Sequence, residues 1–168
     1  KYPRNFKKYV MLPMNARARH PVLEERVALL SGYAENFPYN RLEMGDAGLG
    51  IVTCGVAYQY AREVFPDASF LRLGMTYPLP RRLIADFASQ VDRLIVIEEL
   101  DPFLEEEIVL AGIQQVEGKS IFPVCGELTP QIVREAAIEA GLLPESERVV
   151  PVEPITGDLP ARPPVLCP

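Results

Sequence analysis

Between Leu49 and Phe103, short apolar runs alternate with stretches whose apolar residues recur at helical spacing. Gly, Pro or acidic residues mark each junction. Gly50 to Cys54 reads as a first strand centred on Ile51 and Val52, and Gly55 turns the chain into a helix from Val56 to about Val64. Ser69 to Leu73 is a second strand. Pro80 then opens a helix carrying Leu83, Ile84, Phe87 and Val91 on one side. Leu94 to Ile97 is a run of four apolar residues, the signature of a central strand covered on both faces. Asp101-Pro102 supplies an N-cap acceptor followed by proline at N1, and Leu104, Ile108 and Ala111 line one face of the helix that follows. Lys119 to Cys125 reads as a fourth strand, with Pro123 confining it to an edge or a strand end. Thr129-Pro130 repeats the cap-plus-proline start for a helix with Ile132, Val133, Ala136 and Ala140 on one stripe, ended by Gly141.

Upstream, Pro21 is placed to open a helix whose Leu23, Val27, Leu30 and Ala34 form one apolar stripe. The cluster Gly45-Asp46-Ala47-Gly48 marks a boundary. Residues 144–168 hold seven prolines and little periodicity, and read as a linker with a short edge strand at Val149 to Val152. Three zones result: an N-terminal linker and helix over 1–44, a domain over 45–143, and a C-terminal linker over 144–168. The alternation predicts a three-layer α/β/α domain with a mostly parallel sheet of about five strands. Right-handed crossovers then place helices on both faces. Ligand chemistry in such sheets lies at the carboxyl ends of the strands, here Cys54-Gly55, Gly74-Met75-Thr76 and Glu98-Glu99.

The 168 residues fit one domain plus attachments, and 48% hydrophobic content suits a globular core. No apolar run approaches the roughly 20 residues that span a bilayer. The opening Lys1-Tyr2-Pro3-Arg4, without initiator Met or signal peptide, reads as a cut inside a longer chain. A net charge of −6 argues against nucleic acid as the partner of the whole chain. Before Glu24, however, the charged residues are all basic (Lys1, Arg4, Lys7, Lys8, Arg17 and Arg19). That segment reads as a solvated linker crossing an acidic surface, with a phosphate-binding arm as the alternative. Three widely spaced cysteines, Cys54, Cys125 and Cys167, form no disulfide framework and suit a reducing, cytoplasmic setting.

The chemistry expected of a self-contained enzyme is missing from the strand ends. Gly48-Leu49-Gly50 precedes the first strand, and the third glycine of a dinucleotide fingerprint would fall at Thr53. Cys54 stands where a nucleophile elbow would, but Val52 and Val56 occupy the positions that need glycine. The single histidine, His20, lies in the N-terminal segment, so Cys54 reads as a small buried hydrophobe. Six acids lie between Glu98 and Glu107. A magnesium site is one reading of them. The other has Asp101 capping the helix and the glutamates favouring its positive end. Glu98 and Glu99 differ because they follow a buried strand directly, and at most one can turn into the terminal crevice. The candidates for a crevice or docking role are Gly55, Met75, Thr76, Glu98 and Glu99. No catalytic or metal-ligating residue is assigned.

Gly50-Ile51-Val52-Thr53-Cys54-Gly55-Val56-Ala57-Tyr58, then Leu73-Gly74-Met75-Thr76-Tyr77-Pro78-Leu79-Pro80, then Val96-Ile97-Glu98-Glu99-Leu100-Asp101-Pro102-Phe103 resemble one family. It is the alpha subunit of indolepyruvate:ferredoxin oxidoreductase, within the thiamine-dependent 2-oxoacid:ferredoxin oxidoreductases. Tyr9-Val10-Met11-Leu12-Pro13, Asn15-Ala16-Arg17 and Arg19-His20 look like the same subunit. The resemblance implies a transketolase C-terminal-like domain that helps assembly beside the thiamine diphosphate-binding domains. It implies a longer enzyme that oxidatively decarboxylates an aryl 2-oxoacid, with thiamine diphosphate, magnesium and 4Fe-4S clusters. Coenzyme A would accept the acyl group and ferredoxin the electrons, and a smaller beta subunit would be a partner. Pro163 to Pro168 look like the entrance to a diphosphate-binding domain, where the family continues with a Cys-Pro-Gly-Cys-Pro-His type motif; the chain stops after the first Cys-Pro. These 168 residues are thus expected to hold neither cofactor nor cluster. The alternative is a free-standing nucleotide- or coenzyme A-binding α/β module.

Overall fold

The computed structural model describes residues 2–149. In chain order the elements are α1 (Phe6–Tyr9), α2 (Pro13–Ala34), β1 (Arg41–Glu43), β2 (Asp46–Cys54), α3 (Ala57–Val64) and β3 (Ala68–Leu73). They continue with α4 (Arg81–Ala88), β4 (Leu94–Ile97), α5 (Phe103–Leu110), β5 (Val116–Glu117), α6 (Pro130–Glu139) and a 3-10 turn at Glu145–Glu147. The sheet runs β1-β3-β2-β4-β5. Only β1 is antiparallel to its neighbour; the other pairs are parallel.

Register explains why the strands are apolar on both sides. Ile51 lies between Phe70 and Ile95, and Val52 between Leu71 and Val96. Successive side chains point to opposite faces. Ile51, Phe70, Ile95 and Ile97 therefore pack with Ala57, Ala61 and Val64 of α3 and Val133 and Ala137 of α6. Val52, Leu71 and Val96 pack with Ile84 and Phe87 of α4 and Leu104 and Ile108 of α5. Each helix turns residues spaced by three, four or seven onto the sheet, which makes the three layers.

Four expectations need correction. Pro21 does not open the N-terminal helix: α2 starts at Pro13 and continues past Pro21 to Ala34. Leu12, extended ahead of Pro13, sets that start, and the Met14 to Arg19 stretch is rich in good helix formers. Lys119 to Cys125 is not a strand. Gly118 O accepts from both Ile121 and Phe122 N, and the Lys119 N–H donates to Glu105 Oε2 at 2.8 Å, so these N–H groups close a turn and do not run a ladder. The fourth parallel strand is the two-residue β5, pairing Val116 with Leu94 and Glu117 with Ile95. The sheet also begins upstream of residue 45, because β1 pairs Arg41 to Glu43 with Phe70 to Arg72. The start of α5 differs too: Pro102, and not Asp101, is its N-cap residue. The strand expected at Val149 to Val152, and Cys167, lie outside the described residues, apart from Val149, which is in no strand. Among the described residues no helix is long and apolar enough to cross a membrane.

Candidate functional site

Strand β2 connects through α3 to β3 on one side, and β3 returns through α4 to β4 on the other. The carboxyl ends of β2 and β4 therefore diverge at a topological switch point, where open α/β sheets form a crevice. The crevice has a volume of about 390 Å³ and is bounded by Cys54, Gly55, Thr76, Glu98, Glu99 and Leu104. Four of the five candidates are thus brought together. Met75 is not among them; its N–H points toward Asn40 Oδ1 at 3.4 Å, and Gly74 N donates to the same oxygen at 2.9 Å. Gly55 has φ of 57°, a left-handed turn that glycine adopts without penalty.

Glu98 is the centre of the site. It is only 5% exposed, whereas Glu99 next to it is exposed. Its carboxylate accepts from Leu104 N at 2.8 Å and Glu105 N at 3.1 Å, the free N–H groups that open α5. This overturns the cap expected from Asp101. Pro102 is the N-cap residue, and the Asp101 carboxylate makes no side-chain hydrogen bond among the described residues. The turn that carries Glu98 to the helix passes through Leu100, whose φ of 58° is strained for a branched side chain and whose side chain is 62% exposed.

Lys119 closes the other side. Its Nζ donates to Glu98 O at 2.5 Å, and its backbone N–H to Glu105 Oε2. Burial pushes the Glu98 carboxyl above the usual carboxylate range, against the pull of the Leu104 and Glu105 amides and the Lys119 charge. Burial also lowers Lys119, opposed first by the charge of Glu98. Sequence reasoning missed Lys119, since a single lysine at the edge of an apolar run carries no signal.

Cys54 is half-buried at the floor, and burial, then the charges of Glu98 and Glu99, hold its thiol above the ordinary value. A thiol kept protonated is a poor nucleophile. His20 sits on α2, paired with Glu24 at 3.2 Å in an exposed i, i+4 contact, and does not border the crevice. Among the described residues no group of three or more His, Cys, Asp or Glu side chains is arranged to hold a metal ion.

No family model matches the chain. It is 34% identical to the indolepyruvate oxidoreductase subunit IorA of Archaeoglobus fulgidus, across 95% of this chain and 27% of that subunit. The IorA subunit of Methanothermobacter thermautotrophicus is 33% identical across 96% of this chain and 28% of its own length. That of Thermococcus kodakarensis is 28% identical across 100% of this chain and 28% of its own. The chain thus spans little more than a quarter of the length of these curated relatives. A solved 2-oxoglutarate:ferredoxin oxidoreductase from Magnetococcus marinus, with 2-oxoglutarate, coenzyme A and succinyl-CoA bound, superposes on 77% of this chain and 24% of its own with a TM-score of 0.53. At 18% identity that likeness speaks for the fold. By sequence, then, this chain is related along nearly its whole length to one stretch of the indolepyruvate oxidoreductase IorA subunits, the family that its motifs resemble.

Proposed function

We propose that this chain is a non-catalytic assembly domain of a 2-oxoacid:ferredoxin oxidoreductase alpha subunit of the indolepyruvate type. The longer subunit, with a smaller beta subunit, would oxidatively decarboxylate aryl 2-oxoacids to acyl-CoA and pass the electrons to ferredoxin. Thiamine diphosphate, magnesium and 4Fe-4S clusters would be bound by other parts of that assembly. A reducing, cytoplasmic setting fits the free cysteines among the described residues, Cys54 and Cys125.

The observation that carries this reading is the place of Glu98. A switch-point crevice serves a phosphorylated ligand when helix N–H groups face it unpaired. Here the α5 N–H groups of Leu104 and Glu105 are already taken by the protein's own carboxylate. Glu99 and Asp101 add negative charge at the rim. On the α5 side the crevice therefore offers a carboxylate and acids where a diphosphate, whether of thiamine diphosphate, a nucleotide or coenzyme A, needs free N–H groups; the α3 end at Val56 and Ala57 carries no side-chain cap. What remains is a rim of exposed groups, Val56, Leu100 and Phe103 beside Glu99 and Asp101, suited to contact with protein.

A thermal-shift panel tests this against the free-standing binding module. Ligands that bind only the folded state raise its melting temperature by mass action. Coenzyme A, ATP and ADP at millimolar concentration are expected to leave the melting temperature of the chain unchanged. A saturable rise with any of them would establish the binding module instead.

A further inference from the structure

Helix α2 is built as if it were surrounded, yet it stands off the domain. Its 22 residues make a rod roughly 33 Å long at 1.5 Å per residue. Only Ala34, its last residue, is buried. That end is fixed firmly. Glu35 accepts from Arg82 N at 3.0 Å and Leu83 N at 2.9 Å, at the start of α4. Asn40 donates to Ala34 O at 2.8 Å while its Oδ1 accepts from Gly74 N. The rod is thus held at a set point on the domain, with Val27 and Ser31 facing the Tyr77-Pro78-Leu79 loop and most of its sides exposed.

Two apolar stripes run along those sides. Leu23, Val27 and Leu30 lead to the anchored Ala34, as the sequence predicts, but Leu23 is 51% exposed and Leu30 36%. Val22, Leu29 and Tyr33 form a second stripe one residue ahead, about 100° round the helix, with Leu29 77% exposed. A helix apolar on more than one side is normally enclosed. A second copy of α2 in a two-stranded pairing would cover one stripe and leave the other open. Two adjacent stripes need a concave surface made by several elements.

We infer that α2 is a docking helix, and that its occupant is the remaining part of an IorA-type subunit. This rests on the function proposed above. The Thermococcus kodakarensis relative aligns across 100% of this chain, α2 included, and this stretch is 28% of its length. The surface that covers α2 is apolar and carries carboxylates along its middle, because Arg19 and Arg26 stand between the two stripes at helical spacing.

Hydroxyl-radical footprinting tests this by reading side-chain exposure directly. Oxidation of Val22, Leu29, Leu30 and Tyr33 is followed by peptide mass spectrometry in the 168-residue chain and in the full subunit that contains it, each normalised to its urea-unfolded form. The expected result is fast oxidation in the chain alone and a several-fold slowing in the full subunit. Equal rates in both would overturn the inference. So would protection in the chain alone that grows with its concentration, which would make a second copy the cover. As a second arm, Leu29→Asp is expected to leave the melting temperature of the chain alone nearly unchanged and to lower that of the full subunit. An equal fall in both would count against docking. Binding of thiamine diphosphate or coenzyme A to the chain would overturn the function proposed above and leave the footprint standing, so the two failures are distinguishable.

Discussion

Glu98 ties together three parts of the domain: the end of strand β4, which it directly follows, the first turn of α5, and Lys119 beyond β5. Hydrogen bonds to a charged group contribute more than neutral ones, and a buried donor left unpaired costs about 1–3 kcal/mol. Glu98→Ala is therefore expected to lower the unfolding free energy by about that amount, measured by urea denaturation. Asp101→Ala, which removes no cap, should stay within about 0.5 kcal/mol of the wild type. The pH dependence carries a definite sign. Because burial raises the folded-state pKa of Glu98, its contribution is fully present below the ordinary glutamate value of about 4.3 and is lost as pH rises through the raised one. The non-titrating Glu98→Gln variant should gain on the wild type across that window and then run parallel to it. A drift the other way would show that the amides and Lys119 outweigh burial. The sequence offered Glu98 or Glu99 as the residue turned into the crevice; the capping by Glu98 was not legible in it. Asp101 stands at the local capping position before Pro102, whereas Glu98 reaches Leu104 N, six residues on, only because Leu100 takes a left-handed turn.

At the scale of elements, legibility followed length and apolar continuity. Leu94 to Ile97 was readable to the residue because a strand flanked on both sides shows four apolar residues in a row. Thr129 and Pro130 were readable because their capping is local, with Thr129 Oγ1 accepting from Ile132 N at 3.2 Å. Strand β1, three residues long, is too short to display a period. The Lys119 to Cys125 run has strand-like composition, but its backbone is held in a turn by Gly118 and Glu105. The Gly74-Met75-Thr76-Tyr77-Pro78-Leu79-Pro80 loop owes its glycine to packing. A Cβ on Gly74 would lie 2.7 Å from the backbone oxygen of Tyr39, in the turn that joins α2 to β1. Backbone cannot give way as a side-chain tip can. Gly74→Ala is thus expected to destabilise the chain by about 1–3 kcal/mol, seen as a lower melting temperature. An unchanged melt would mean that the 35–40 turn is not seated on this loop.

For the whole molecule, the layered α/β architecture could be read from the alternation of apolar strands and amphipathic helices, since β2, β3 and β4 are each covered by helices on both faces. The relation between the N-terminal segment and the domain could not, because it rests on long-range hydrogen bonds made by two side chains, Glu35 and Asn40. In the function proposed above, the strand ends form a place for contact: a carboxylate fills the α5 terminus, burial raises the Cys54 thiol, and acids line the rim. The central claim is that this chain contributes fold and contacts while cofactor binding lies elsewhere in the longer enzyme. Isothermal titration of thiamine diphosphate with magnesium into the 168-residue chain tests it most directly. The account predicts no binding heat beyond dilution; saturable, magnesium-dependent binding in the micromolar range would contradict it.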